Sequence, residues 1–167
     1  MRILWAPWRM KYVRQAVKTA KEECFLCRAA KAPVSEDEKL YVLRRSKSAF
    51  IILNIYPYNT GHLMIAPYKH EQDPLELSDE EALDMIQLLK LSIKALRKVY
   101  LPDAFNIGAN IGRDAGAGVE DHFHIHVVPR WRGDTNFMPV ISQTKVIPQA
   151  LDETYRVLRS ALRELQQ

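Results

Sequence analysis

Between Asp121 and Arg130 the chain runs Asp-His-Phe-His-Ile-His-Val-Val-Pro-Arg. Its alternation of histidine with apolar residues fits a β-strand over His122 to Val128. With a side-chain period of two, His122, His124 and His126 share one face while Phe123, Ile125 and Val127 face the core. Same-face neighbours then lie roughly 6–7 Å apart, from a rise of about 3.3 Å per residue, which leaves room for a phosphate between imidazoles. Three of the five histidines of the chain fall within these positions. Such clustering of titratable groups marks functional sites, because buried imidazoles need partners.

Further strand patterns, rich in β-branched and aliphatic residues, occupy Leu40 to Leu43, Ala49 to Ile55, His62 to Ala66 and Ala104 to Ile111. The stretch Tyr56-Pro57-Tyr58-Asn59-Thr60-Gly61 predicts a turn, so the strands on either side of it can form a hairpin. Ser78-Asp79-Glu80-Glu81 predicts a capping box opening a long helix, with Leu83, Ile86, Leu89, Ile93 and Leu96 along one face and Leu101-Pro102 ending it. Leu151, Tyr155, Leu158, Leu162 and Leu165 predict a final amphipathic helix, and Met10, Val13 and Val17 a short first one stopping near Cys24. Leu4-Trp5-Ala6-Pro7-Trp8-Arg9 is aromatic and interrupted by proline, and is expected to drape over the body. Strand runs with helices inserted between them favour an α+β fold. We expect one domain over residues 1–167, with a mainly antiparallel five-stranded sheet, a long central helix and a C-terminal helix.

Hydrophobic residues make up 47% and charged residues 26% of the chain, as in soluble globular proteins. The net charge of +4 favours anionic ligands, but the basic residues form no run or stripe, which argues against nucleic acid as a partner. Apolar runs are too short to span a bilayer, and Met1 to Lys11 lacks the apolar core of a secretory signal. A cytoplasmic location is expected, with no membrane partner. In that reducing setting Cys24 and Cys27 are not expected to form a structural disulfide. Their two-residue spacing allows both thiolates to bind one metal, with redox chemistry as the rival.

Residues 108–119 carry four glycines and three alanines among their twelve. Small side chains let backbone N–H groups approach phosphate oxygens. A dinucleotide-binding fingerprint would have to open a helix, whereas this segment feeds a strand, and the lysine-serine or lysine-threonine pair of a P-loop is missing.

The His122-Phe-His124-Ile-His126-Val-Val run resembles the signature of the histidine-triad (HIT) superfamily of nucleotide hydrolases and transferases. Leu4 to Arg9 and Pro129-Arg130-Trp131-Arg132-Gly133-Asp134-Thr135-Asn136-Phe137 resemble segments of its prokaryotic branch related to diadenosine tetraphosphate phosphorylases, and the similarity runs from Trp5 to about Val140. The resemblance implies a HIT-like fold in which His124 attacks the α-phosphorus to give a covalent nucleotidyl-histidine. It implies that His126 contacts the phosphate and that His62 stands nearby to help the leaving group. Asn110, with Gly116, Ala117 and Gly118, matches the phosphate loop; Asn54 matches a ribose-hydroxyl contact and Ile55 a base-pocket residue. Ordinary alternatives are that Asn54 closes a turn and Ile55 belongs to the core.

By the same resemblance Cys24, Cys27, His70 and His122 match the ligands of a structural zinc, and no organic cofactor is implied. The expected substrate is a dinucleoside polyphosphate or other adenine nucleotide. Alternatives are other adenylyl conjugates such as nucleoside phosphoramidates, a zinc hydrolase whose triad holds a catalytic metal, and a non-catalytic nucleotide sensor. Relatives often have Gln, Ser or Thr where this chain has Ala117-Gly118, which leaves water and inorganic phosphate both open as acceptors. Homodimers are common in the family, and the helix at residues 78–100 is a candidate contact.

Overall fold

The computed structural model describes residues 24–116, 119–134 and 149–165. The helix expected through Met10 to Val17, the segments Leu4–Arg9 and Thr135–Phe137, and Ala117 and Gly118 lie outside them. In chain order the elements are α1 (Phe25–Lys31), β1 (Val42–Arg45), β2 (Ala49–Leu53), β3 (Leu63–Pro67), α2 (Asp79–Tyr100), β4 (Ala104–Gly108), β5 (Ile125–Arg130) and α3 (Leu151–Glu164). The strands form one sheet in the order β1-β2-β3-β5-β4, and every neighbouring pair is antiparallel.

Alternation along β2 and β3 sends side chains into two cores. Ile51, Leu53, Leu63 and Ile65, with Val127 of β5, meet α2 and α3 on one face. Phe50, Ile52, Met64 and Ala66 meet Leu26 and Ala29 of α1 on the other. Covered on both faces, these two strands read as continuous apolar runs rather than alternating ones. His126 pairs directly with Met64, so its side chain shares the α1 face.

The capping box of α2 is present: Ser78 Oγ accepts from Glu81 N–H and the Glu81 carboxylate from Ser78 N–H. The helix ends at Leu101 in the left-handed region, φ 47°, immediately before Pro102. Its buried stripe differs from the expected one. Met85, Leu88, Ser92, Ala95 and Leu96 face the core, while Leu83 and Ile86 are 57% and 46% exposed. Polar Asp84 and Ser92 inside the stripe mask the true face in the sequence. Asp84 is buried because it accepts hydrogen bonds from Ser46 Oγ, Ser48 N–H and Ser48 Oγ, pinning the β1–β2 turn.

Helix α1 begins where the sequence pattern ended a helix; at seven residues it is too short for periodicity to reveal. The expected strand over His122 to Val128 begins only at Ile125. Ladder pairing with β3 stops at Ile65–Ile125, and β3 ends in Pro67, which has no N–H to donate. Phe123 N–H instead donates to Glu71 O at 2.6 Å.

Candidate active site and metal centre

The five histidines divide between two clusters, His62, His124 and His126 in one and His70 and His122 in the other. His124 is 5% exposed, and its Nδ1–H donates to the backbone carbonyl of His122 at 2.8 Å. That bond leaves the lone pair on Nε2. Burial lowers its pKa from the ordinary imidazole value, opposed by the hydrogen bond to His122. The ring is therefore neutral and nucleophilic at neutral pH.

The His124 and His126 ring centroids lie 4.7 Å apart. Behind His126 stands His62, 1% exposed, with its Nε2 3.0 Å from His126 Nδ1. Tyr58 N–H donates to His62 Nδ1 at 3.1 Å. In neutral rings this fixes the whole series: His62 carries its proton on Nε2 and donates it to His126 Nδ1, so His126 keeps its own proton on Nε2. The Tyr58 ring stacks on His62 at 4.9 Å between centroids. Both ring nitrogens of His62 are thus engaged, and any help it gives a leaving group passes through His126. The sequence showed Tyr58 only as a turn residue; a backbone donor leaves no side-chain signal.

Strand β4 flanks His126 on the other side, with Gly108 its direct partner. Asn110 follows two residues later, and its Nδ2 lies 3.4 Å from Gly116 O. Gly112 and Gly116 take φ of 78° and 83°, which L side chains rarely adopt, so glycine there is a backbone requirement. Asn54 N–H donates to His62 O, placing that residue opposite His62 in the hairpin. Asn54 Oδ1 accepts from Tyr56 N–H at 2.9 Å, so the residue does close a turn. Ile55 is 48% exposed and so is not core.

His122 belongs to the second cluster. One ligand atom from each of Cys24, Cys27, His70 and His122 lies within 4.8 Å of the others. His122 Nδ1 is 3.5 Å from both sulfurs and 3.3 Å from His70 Nδ1, and Cys27 Sγ is 3.0 Å from His70 Nδ1. A tetrahedral zinc with ordinary Zn–S and Zn–N bonds has S···N edges of about 3.6 Å and N···N edges of about 3.4 Å. His122 Nε2–H donates to Pro67 O at 2.9 Å, which leaves the Nδ1 lone pair aimed into the cluster. A single lone pair so close to three other donor atoms is what a shared metal ion satisfies. The set fits a closed two-cysteine, two-histidine site. It does not fit a triad that chelates one catalytic metal, because His124 and His126 belong to the other cluster.

The five-stranded antiparallel sheet carries the histidine run at the start of β5, and residues 35–133 match the HIT domain model. The chain belongs to the HIT domain family. It is 39% identical over 158 residues to the AP-4-A phosphorylase of Mycobacterium tuberculosis, covering 93% of this chain and 81% of that protein. Adenosine 5'-monophosphoramidase hnt1 of Schizosaccharomyces pombe is 32% identical over 107 residues, 64% of this chain and 74% of that one. Among solved structures, a zinc-bound histidine triad family protein from Mycobacterium smegmatis superposes with a TM-score of 0.66 at 27% identity, covering 86% of this chain and 96% of its own.

Proposed function

We propose that this chain is a HIT-type nucleotidyl transferase or hydrolase that cleaves dinucleoside polyphosphates such as diadenosine tetraphosphate. The observation that carries the proposal is the pairing of a buried neutral His124, its Nε2 lone pair available, with His126, whose Nε2 bears a proton. His124 Nε2 attacks the α-phosphorus, and the bond to the departing polyphosphate oxygen breaks, giving a nucleotidyl-histidine. His126 Nε2–H donates to the phosphate as charge builds on it. An acceptor oxygen then attacks the same phosphorus, the P–N bond breaks, and the imidazole is regenerated as the acceptor loses its proton. Asn110 and the glycines of its loop would hold the phosphates, Asn54 the ribose and exposed Ile55 the base.

Incubation with diadenosine tetraphosphate, with and without inorganic phosphate, tests this. ADP plus ATP formed only with phosphate identifies a phosphorylase, the outcome favoured by the similarity to the mycobacterial enzyme. AMP plus ATP without phosphate identifies a hydrolase. No products under either condition withdraws this substrate. Nucleoside phosphoramidates would then be next, on the similarity to hnt1.

The depressed pKa of His124 gives a second expectation. Attack needs the neutral ring, so kcat/KM falls as pH drops through the pKa of His124 in the free enzyme. The midpoint of that acid limb is expected below the ordinary histidine value of about 6.5. A midpoint above it would contradict the buried, neutral nucleophile.

Zinc is the metal we assign to Cys24, Cys27, His70 and His122, with a structural role. When bound it ties α1 to the segment that precedes β5. We further propose a homodimer in the cytoplasm, with Leu83 and Ile86 on the exposed face of α2 as contact residues.

A further inference from the structure

The segment that follows β5 has no part in the chemistry above, yet it reaches the histidines through one buried side chain. Asp134 pairs with Arg130 twice: Oδ2 accepts from Nε at 2.6 Å and Oδ1 from Nη2 at 2.8 Å. Its Oδ2 also accepts from Trp131 N–H at 3.2 Å and from Asn59 Nδ2 at 2.8 Å. Asn59 is 8% exposed, and the same amide nitrogen donates to Pro129 O at 3.1 Å. Both amide protons of Asn59 are therefore spent on Pro129 in β5 and on Asp134 in the segment that follows it.

The backbone of Asn59 faces the other way. Its carbonyl accepts from His62 N–H at 3.1 Å, and the residue before it supplies the Tyr58 N–H that holds His62 Nδ1. A continuous set of hydrogen bonds thus runs from the Arg130–Asp134 ion pair through Asn59 to the turn that faces His62, and from His62 Nε2 to His126 Nδ1.

We propose that Asn59 and Asp134 are positioning residues for the reaction at His124. By clamping the turn they hold Tyr58 N–H on His62 Nδ1, which selects the single tautomer pair that leaves His126 Nε2–H facing the phosphate. Neither residue touches substrate. The proposal rests on the assignment of His126 as the phosphate donor. It gives a task to the Arg130-Trp131-Arg132-Gly133-Asp134 segment, which the chemistry otherwise leaves without one.

The test uses Asn59→Ala, with Asp134→Asn as a second variant that keeps shape but replaces the carboxylate. Both are studied as isolated with their metal, well below their melting temperatures. Two quantities are read: the ring-nitrogen shifts of the five histidines in nitrogen-15 NMR, and kcat separately from KM for diadenosine tetraphosphate. In the parent protein His62 and His126 are each expected as a single Nε2–H tautomer. In Asn59→Ala the tautomers of both rings mix, and kcat falls roughly 10- to 100-fold while KM stays within about threefold. Asp134→Asn shows the same pattern to a smaller degree, and the signature of His124 stays unchanged in both.

A clamp that only fastens the turn would lower the melting temperature but leave single tautomers and the parent kcat. That result overturns the proposal, whichever folded variant gives it. Should the parent turn over no substrate at all, the functional assignment falls, but the tautomer readout still decides whether Asn59 and Asp134 set the His62–His126 pair.

Discussion

His124→Ala is expected to lower turnover by at least about four orders of magnitude, with the far-ultraviolet spectrum and nucleotide binding retained. The size follows from the role: without the imidazole there is no atom to form the covalent intermediate, and only binding and the phosphate contacts remain to assist direct attack. A structural contribution is separable. The ring is buried and its Nδ1–H bonds to His122 O, so truncation also leaves a cavity and an unpaired carbonyl. Those losses cost about 1–4 kcal/mol, enough to shift a melting curve but not to remove activity at a temperature where the variant is folded. Substitution of His126 removes a donor rather than the nucleophile, and its expected loss is smaller, about 10²- to 10⁴-fold. Equal activity in His124→Ala and the parent would remove the nucleophile assignment outright.

Removing the metal comes second in size. The protein as purified is expected to contain about one zinc per chain. Chelation, or Cys27→Ser, is expected to lower the melting temperature on the order of 10 °C or more. The ligands come from three separate places: Cys24 and Cys27 at the start of α1, His70 beyond β3, and His122 ahead of β5. Without the ion, like donor atoms are left crowded together, and among the described residues the stretch before β5 is then tied by Pro67 O and Glu71 O. The His122 carbonyl that holds His124 Nδ1–H lies in that stretch, so activity is expected to fall along with stability. An ion acting directly in catalysis would instead stop turnover before stability changed. Metal-free protein with an unaltered melting curve would contradict the structural assignment.

Much of this arrangement is legible in the sequence, for identifiable reasons. The alternation through His122 to Val128 gives the division of faces, because period two survives even where the ladder does not. Ser78 and Glu81 announce the start of α2 through local hydrogen bonds that need no tertiary partner. The four metal-ligand candidates converge as the resemblance implied. What stayed hidden depends on contacts between distant segments. Asp84 reads as an exposed helix residue until the serines of the β1–β2 turn are placed against it. The late start of β5 follows from Pro67, far away in sequence, and the chain of tautomers from a backbone N–H at Tyr58. The Asn59–Asp134 contact joins a turn to a residue 75 positions away. No periodicity could announce it.

The most direct test of the central claim is the intermediate itself. The protein is mixed with diadenosine tetraphosphate, quenched in denaturant under alkaline conditions that preserve phosphoramidates, and its intact mass and peptides are measured. The account predicts a mass increase of one adenylyl group, located on the peptide that contains His124 and absent from His124→Ala. Steady turnover by the parent with no adduct on that peptide at any quench time, or an adduct that persists in His124→Ala, would contradict it.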